Sequence, residues 1–353
     1  MVAITAPTNG AAPIDGSPAY AFDDSAVVVR TLTGAAIASV GASLPETVVP
    51  SARIAEKFGV DADWIVRRTG IHERRFALAG ERLSTHAARA ALRALERANV
   101  RPADVELVLV ATTTPDELLP NTAPLVAAEI GARGAAAFDV GAACTGFVSA
   151  LAVGCAQIET QRARCVVVIG ADFMSRVTDP DDRATAALFG DGAGAVVLVP
   201  TEAPGRIGPV VMGSDGEGGA GKIVVERAPG RIQMQGQDTF REAVDRLSWV
   251  TLEAAHAAGV DLDDIDLFVY HQANGRILHA IAERLALESE RVVDCIREHG
   301  NTSAASLPLA LAYSDERFRL HPGDRVLLAA FGAGTTWGAT VVQWGADPVD
   351  QLR

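Results

Sequence analysis

The chain lacks the marks of several large protein classes. None of its apolar runs reaches the roughly 18 residues that a membrane-spanning helix needs. Its first residues have no charged stretch followed by an apolar one, so no secretory leader is expected. Cysteine is scarce, four in 353 residues, at positions 144, 155, 165 and 295. Their spacing suits neither a metal site nor a disulfide framework, and a reduced, cytoplasmic protein without a metal is expected. Aromatic residues make up only 5% against 49% hydrophobic residues in all, which implies closely packed helices and sheets built on small side chains. A basic excess is also missing. The net charge of −13 argues against nucleic acid or an anionic membrane as the main partner. Gly190-Asp191-Gly192-Ala193-Gly194 lacks the Lys-Ser/Thr of a phosphate loop and the strand–helix setting of a dinucleotide fingerprint. It reads as a turn with close backbone packing before a strand at 195–198, and no nicotinamide or flavin cofactor is implied.

The length suggests two domains, each able to bury its own core. Residues 1–31 are rich in Ala, Pro, Gly, Ser and Thr without periodicity and read as a mobile extension. Ordered structure is expected from residue 32, with a first strand near 35–41. A weak internal repeat follows. Val100-Arg101-Pro102-Ala103-Asp104-Val105 with its apolar run Leu107–Val110 can be laid over Val260-Asp261-Leu262-Asp263-Asp264-Ile265 with Leu267–Tyr270. Helical stretches at 83–98 and 239–258 precede the two copies. The strand-like run at 165–169 has its counterpart, at nearly the same offset, in the run at 326–330. Two copies of one αβ unit half a chain apart imply a duplicated α/β architecture, divided here into 32–204 and 205–353.

Three segments carry chemistry. In Phe138-Asp139-Val140-Gly141-Ala142-Ala143-Cys144-Thr145-Gly146 an apolar strand stops at small residues and delivers one cysteine to the start of a helix. The positive end of a helix dipole lowers a thiol's pKa, and a thiolate is the nucleophile that acyl transfer from a thioester requires. The plainer reading of Cys144 is a small buried hydrophobe. Leu267-Phe268-Val269-Tyr270-His271 ends an apolar strand in histidine, and His299-Gly300-Asn301 is a glycine turn with an asparagine opening a helix. Singly, His271 reads as a core histidine and Asn301 as an N-cap. Together at element ends, where side chains project into a cleft above a sheet, Cys144, His271 and Asn301 favour a catalytic reading. Cys155, Cys165 and Cys295 read as packing residues.

These three segments, with Trp64-Ile65-Val66-Arg67-Arg68-Thr69-Gly70-Ile71, Phe189-Gly190-Asp191-Gly192-Ala193-Gly194 and Phe331-Gly332-Ala333-Gly334-Thr335-Thr336-Trp337-Gly338, resemble the β-ketoacyl-acyl-carrier-protein synthase III family. The six motifs stand in family order from about residue 32 onward. The resemblance implies an α/β thiolase-like fold, with duplicated αβ halves in an α-β-α-β-α layering. It also implies an acyltransferase that condenses an acyl-CoA primer with malonyl-acyl carrier protein through an acyl-cysteine, with no cofactor and as a homodimer.

By the same resemblance, Cys144, His271 and Asn301 are catalytic, and the backbone N–H groups of Cys144 and Ala333 form the oxyanion hole. Ala333 stands where relatives often carry glycine, which is harmless if its φ is negative. Trp64, Arg68 and Arg183 are expected on the coenzyme A moiety, and Gly236, Phe240 and Asn274 along the pantetheine channel. Arg241 and Arg276 are expected to flank the cleft mouth and dock the acidic carrier protein. Leu119, in the subunit-crossing loop at 112–121, is expected to cap the partner's acyl pocket. Being smaller than phenylalanine, it would admit C4 or branched primers. Glu117 in that loop reads as solvated. Two other readings stay open, a starter-unit synthase of a secondary-metabolite pathway and a non-catalytic partner subunit.

Overall fold

A computed structural model describes residues 33–202, 205–228 and 230–345. The expected extension over 1–31 lies outside the described residues, as do 203 and 204, where the two halves are expected to meet. Five strands form the first sheet, in the order Thr33–Ser43, Asp191–Glu202, Val166–Phe173, Leu107–Ala111, Ala136–Val140. The last three run parallel and the first two antiparallel to their neighbours. Four strands form the second sheet, in the order Val211–Ser214, Thr336–Gln343, Arg325–Gly332, Leu267–Tyr270.

The internal repeat is visible in this pairing. Leu107 stands opposite Val166 in one parallel ladder, and Leu267 opposite Val326 in the other, each partner 160 positions further on. Both ladders continue into an antiparallel neighbour.

Helices Gly146–Glu159 and Ser306–Glu316 lie between the sheets, and their side chains join those of both sheets in one core. Gly146–Glu159 is built almost wholly of small and apolar residues, buried on two faces, as a helix sandwiched between sheets requires. Leu83–Arg97 and Thr122–Ile130 cover the outer face of the first sheet. Gly236–Ala258 and Gly275–Arg284 cover that of the second. The layering is therefore α-β-α-β-α, and the fold is thiolase-like. On Leu83–Arg97 the positions Leu83, Ala87, Ala91, Ala94 and Leu95 bury one stripe at helical spacing. The helix lacks its own capping side chain. Asp116, from a distant loop, instead accepts from the N–H groups of Leu83 (2.8 Å) and Ser84 (2.9 Å).

Several local expectations need correction. The strand expected at 195–198 is Asp191–Glu202, so most of the glycine run is strand rather than turn. Its close packing is real: a Cβ on Gly190 would come within 2.1 Å of the His299 carbonyl oxygen. Cys165 does not open a strand but precedes Val166–Phe173. The helix expected at 239–258 begins at Gly236, with Asp238 in its first turn, where an acidic side chain complements the helix dipole.

Candidate active site

Cys144 lies in a single 3-10 turn, Ala143–Thr145, between strand Ala136–Val140 and helix Gly146–Glu159. Ala143 holds a positive φ of 45°, a left-handed conformation costing a non-glycine residue about 1 kcal/mol or more. That kink turns the cysteine out of line with the strand and into a cavity of about 900 Å³, which His271 and Asn301 also line. Gly332 packs against the nucleophile so closely that a Cβ there would stand 2.7 Å from that of Cys144.

The Ser303 hydroxyl and the backbone N–H groups of Cys144 and Ala333 lie near enough to the sulfur to favour its thiolate. Ala333 is not among the non-glycine residues with positive φ, so alanine is accommodated where relatives carry glycine. The expectation of a lowered thiol pKa is overturned. Cys144 is half-buried where it lines the cavity, and desolvation pushes its thiol up to about 11; the Ser303 hydroxyl opposes this and the nearby Asp172 carboxylate adds to it. The helix begins two residues later, at Gly146.

His271 directly follows strand Leu267–Tyr270 and is 1% exposed. Its backbone N–H donates to the Ala329 carbonyl at 2.8 Å, continuing the ladder that aims the ring. Burial lowers its pKa to about 4, so it is neutral at physiological pH. Asn301 does not itself open a helix. It bridges to Phe189, and its Oδ1 accepts from the Ser303 N–H (2.9 Å) at the 3-10 turn Ser303–Ala305, ahead of helix Ser306–Glu316. The capping and catalytic readings are thus compatible. The oxygen is held by the turn, while Nδ2 has only a long contact, 3.4 Å, to the Ala273 carbonyl.

Three supporting residues escaped sequence reasoning. Gln272, buried, accepts from the N–H groups of Cys295 (2.9 Å) and Ile296 (3.0 Å) and donates to the carbonyls of Tyr270 (2.9 Å) and Val293 (3.0 Å). It locks the backbone on either side of His271. Asp172, wholly buried, accepts from the hydroxyls of Thr112, Thr113 and Thr114 and from the N–H groups of Thr113, Thr114 and Ala304. A lone carboxylate in the apolar run 166–173 was its available signal. Ser303 left no signal in the sequence.

At the cavity's mouth the Trp64 ring is stacked by two guanidinium groups, Arg68 at 4.1 Å and Arg183 at 4.2 Å. Trp64 is therefore no core residue. Asn274 caps helix Gly275–Arg284 through the Arg276 N–H (2.9 Å) and donates to the Arg68 carbonyl (3.2 Å). Arg276 lies over Phe240 at 5.4 Å, and Gly236, Phe240 and Arg241 bring the first turns of helix Gly236–Ala258 to the same rim. Leu119 does not line this cavity; it is 80% exposed at the tip of its loop. Glu117 is held on the surface by Arg82 at 2.8 Å. Cys155, Cys165 and Cys295 are buried packing residues. Among the described residues no group of His, Cys, Asp or Glu could hold a metal, and no helix is long and apolar enough to cross a membrane.

A thiolase fold whose two sheets deliver a thiol, a neutral imidazole, a carboxamide and converging N–H groups to one cavity defines an acyltransferase of the condensing type. Residues 138–216 match the family model described as 3-oxoacyl-[acyl-carrier-protein] synthase III, and residues 255–344 match its C-terminal model. The β-ketoacyl-[acyl-carrier-protein] synthase III 2 of Streptomyces coelicolor is 46% identical over 91% of this chain and 97% of its own. The corresponding synthase III of Bradyrhizobium diazoefficiens is 44% identical over 86% of this chain and 97% of its own. Among solved structures, 3-oxoacyl-(acyl carrier protein) synthase III from Pseudomonas aeruginosa superposes with a TM-score of 0.85 at 39% identity, covering 89% of this chain and 99% of that one. The priming β-ketosynthase of the R1128 polyketide pathway does so with 0.86 at 34%, covering 91% and 99%. The chain belongs to the β-ketoacyl-acyl-carrier-protein synthase III family.

Proposed function

We propose that this chain condenses an acyl-CoA primer with malonyl-acyl carrier protein, initiating fatty-acid synthesis. The observation that carries this reading is the meeting of Cys144, His271 and Asn301 in one cavity, with the backbone N–H groups of Cys144 and Ala333 near the sulfur. Cys144 gives up its proton and its sulfur attacks the thioester carbonyl. The N–H groups of Cys144 and Ala333 stabilise the oxyanion, and coenzyme A leaves as the thiol. A neutral His271 can accept the thiol proton and pass it to the departing coenzyme A sulfur, which leaves the imidazole neutral for the second step. In the second step the malonyl thioester loses CO₂, and its enolate accepts hydrogen bonds from His271 and the Asn301 amide before attacking the acyl-cysteine. An aspartate at 301 would repel that enolate. The thioester brings its own leaving group, so the chemistry calls for no cofactor.

Trp64 and Arg183 are assigned to the adenine of coenzyme A, entering between ring and guanidinium. Arg68, Gly236, Phe240 and Asn274 are assigned to the rest of that cofactor-like arm, and Arg241 and Arg276 to the carrier protein. A homodimer is part of the proposal. Strand Ala136–Val140 is a sheet edge with Phe138 43% exposed, and Leu118 and Leu119 stand exposed shortly before Thr122, whose N–H donates to Asp139 of that strand. A cytoplasmic location accords with four free cysteines. The polyketide-priming neighbour keeps a starter-unit synthase as the second reading.

Intact-protein mass after incubation with a panel of acyl-CoAs tests the core of this. The protein should gain one acyl group, Cys144→Ala should gain none, and Cys155→Ala should behave as wild type. Adding malonyl-acyl carrier protein should then discharge the acyl group as β-ketoacyl carrier protein. Acylation of the Cys144→Ala protein would overturn the assignment, and transfer only to another acceptor would favour the starter-unit reading.

A further inference from the structure

We infer that Glu242 is a positioning residue for the oxyanion donor at Ala333, acting through the Thr335 hydroxyl; this rests on the reading of the Ala333 N–H given above. The turn from Gly332 to Thr336 joins strands Arg325–Gly332 and Thr336–Gln343. It is held on two sides. On the nucleophile's side Gly332 abuts Cys144, and the Thr336 hydroxyl donates to the Ala333 carbonyl (3.1 Å) while paired with the Thr145 hydroxyl (2.8 Å). On the far side the Thr335 hydroxyl donates to Glu242 Oε1 at 2.7 Å, and the Thr335 backbone exchanges hydrogen bonds with Asp215 at 3.0 and 2.9 Å.

Glu242 is equipped for that task. Its side chain is 13% exposed, and its other oxygen receives Lys222 Nζ at 2.5 Å. Arg246 stands 3.9 Å from Oε1 and 3.6 Å from Asp215, stacked over the Trp337 ring at 4.2 Å. A hydroxyl bonded to a carboxylate fixed by two cations has one orientation, and charge-assisted bonds of this kind are about twice as strong as neutral ones. Glu242 does not line the catalytic cavity, so it has no route to the substrate except through what it holds. Lys222 directly precedes the hairpin Ile223–Val225 and Ile232–Met234, which walls the cavity. One carboxylate therefore ties the oxyanion turn to that wall. An oxyanion donor works only within about 2.7–3.1 Å of the developing charge, so a turn released by a fraction of an ångström loses rate without losing affinity.

Single-turnover acylation by acetyl-CoA and butyryl-CoA, normalised to folded protein, is the test. Glu242→Gln keeps the shape and removes the charge; it should slow acylation about tenfold, less than loss of a donor itself, which costs on the order of 10²–10³. The acyl-CoA concentration for half-maximal rate should stay the same. Thr335→Val should slow the step equally, Thr335→Ser should restore it, and the Glu242→Gln/Thr335→Val double variant should be no slower than either single one. Thr335→Val carries the test alone if the Glu242 variant does not fold. Wild-type rates in Glu242→Gln, losses that multiply in the double variant, or a raised half-saturation with unaltered maximal rate would each overturn the role. Ala333→Pro, which deletes the N–H, distinguishes the two levels. Normal acylation there would sink the oxyanion reading itself, whereas slow acylation there beside a normal Glu242→Gln would remove only Glu242.

Discussion

At the bottom of the cavity Cys144, His271 and Asn301 are held by backbone ladders and turns, and their near neighbours are N–H groups, hydroxyls and one saturated carboxylate. At its mouth Trp64 is flanked by Arg68 and Arg183, with Arg241 and Arg276 standing exposed on the same rim. The two regions use different physics. In the dry interior a dipole fixed in advance is worth more than a charge, because an ion there loses its hydration. At the rim, solvated guanidinium groups attract and stack at little desolvation cost, and salt weakens them. Four guanidinium groups thus stand at this rim although the protein is at −13 overall.

The largest effect should come from the interior. Asn301→Ala removes one enolate donor and should reduce condensation on the order of 10²–10³ while leaving self-acylation nearly intact. Parallel rapid-quench measurements of both steps check this. Equal losses would make Asn301 a turn-holding residue and blur the division between floor and mouth.

Proton equilibria sharpen the comparison next. With its thiol raised to about 11, the alkylation rate of Cys144 by iodoacetamide should climb about tenfold per pH unit from 7 to 9 without levelling. A plateau below pH 8 would mean that the interior stabilises the thiolate after all. The buried imidazoles act on stability in the opposite direction of pH. His271 and His299, both lowered to about 4, stay neutral in the fold while the unfolded chain takes up protons from its ordinary value near 6.5. Stability should therefore be full above 6.5 and decline as pH falls from there to about 4, as melting temperature against pH would show.

Rim substitutions should be milder and salt-dependent. Arg241→Glu or Arg276→Glu should raise KM for malonyl-acyl carrier protein on the order of tenfold at low salt and leave acyl-CoA labelling unchanged. Unaltered KM in both would take the carrier protein away from this rim. The smallest change concerns primer choice. Leu119→Phe should shift selectivity from C4–C5 primers toward acetyl-CoA by about fourfold per carbon, the worth of one buried CH₂. A primer profile untouched by the substitution would mean that Met174, Val177 or Phe189, which line the cavity from its own chain, set its depth.

Much of this was legible in the chain itself. Continuous apolar runs located the parallel strands, and repetition at nearly one offset disclosed the duplicated sheets, because strand pairing and burial follow local pattern. Cys144, His271 and Asn301 stood out as polar residues at the ends of apolar strands or beside glycine. Other features had no local cause. Asp172 is tolerable in a buried strand only because the Thr112–Thr114 loop and Ala304 bring it six donors from elsewhere in the chain. The cap on helix Leu83–Arg97 is Asp116, more than thirty residues downstream. The thiol's pKa was misjudged for the same reason. A helix terminus is written in neighbouring residues, but the loss of water around Cys144 is made by strands and turns from both halves. Sequence alone singled out Cys144, His271 and Asn301 and disclosed that the fold is doubled. Only tertiary structure decided their protonation, their partners and which carboxylate meets the Thr335 hydroxyl in the turn after Gly332, because burial and long-range hydrogen bonds exist only once the chain has closed on itself.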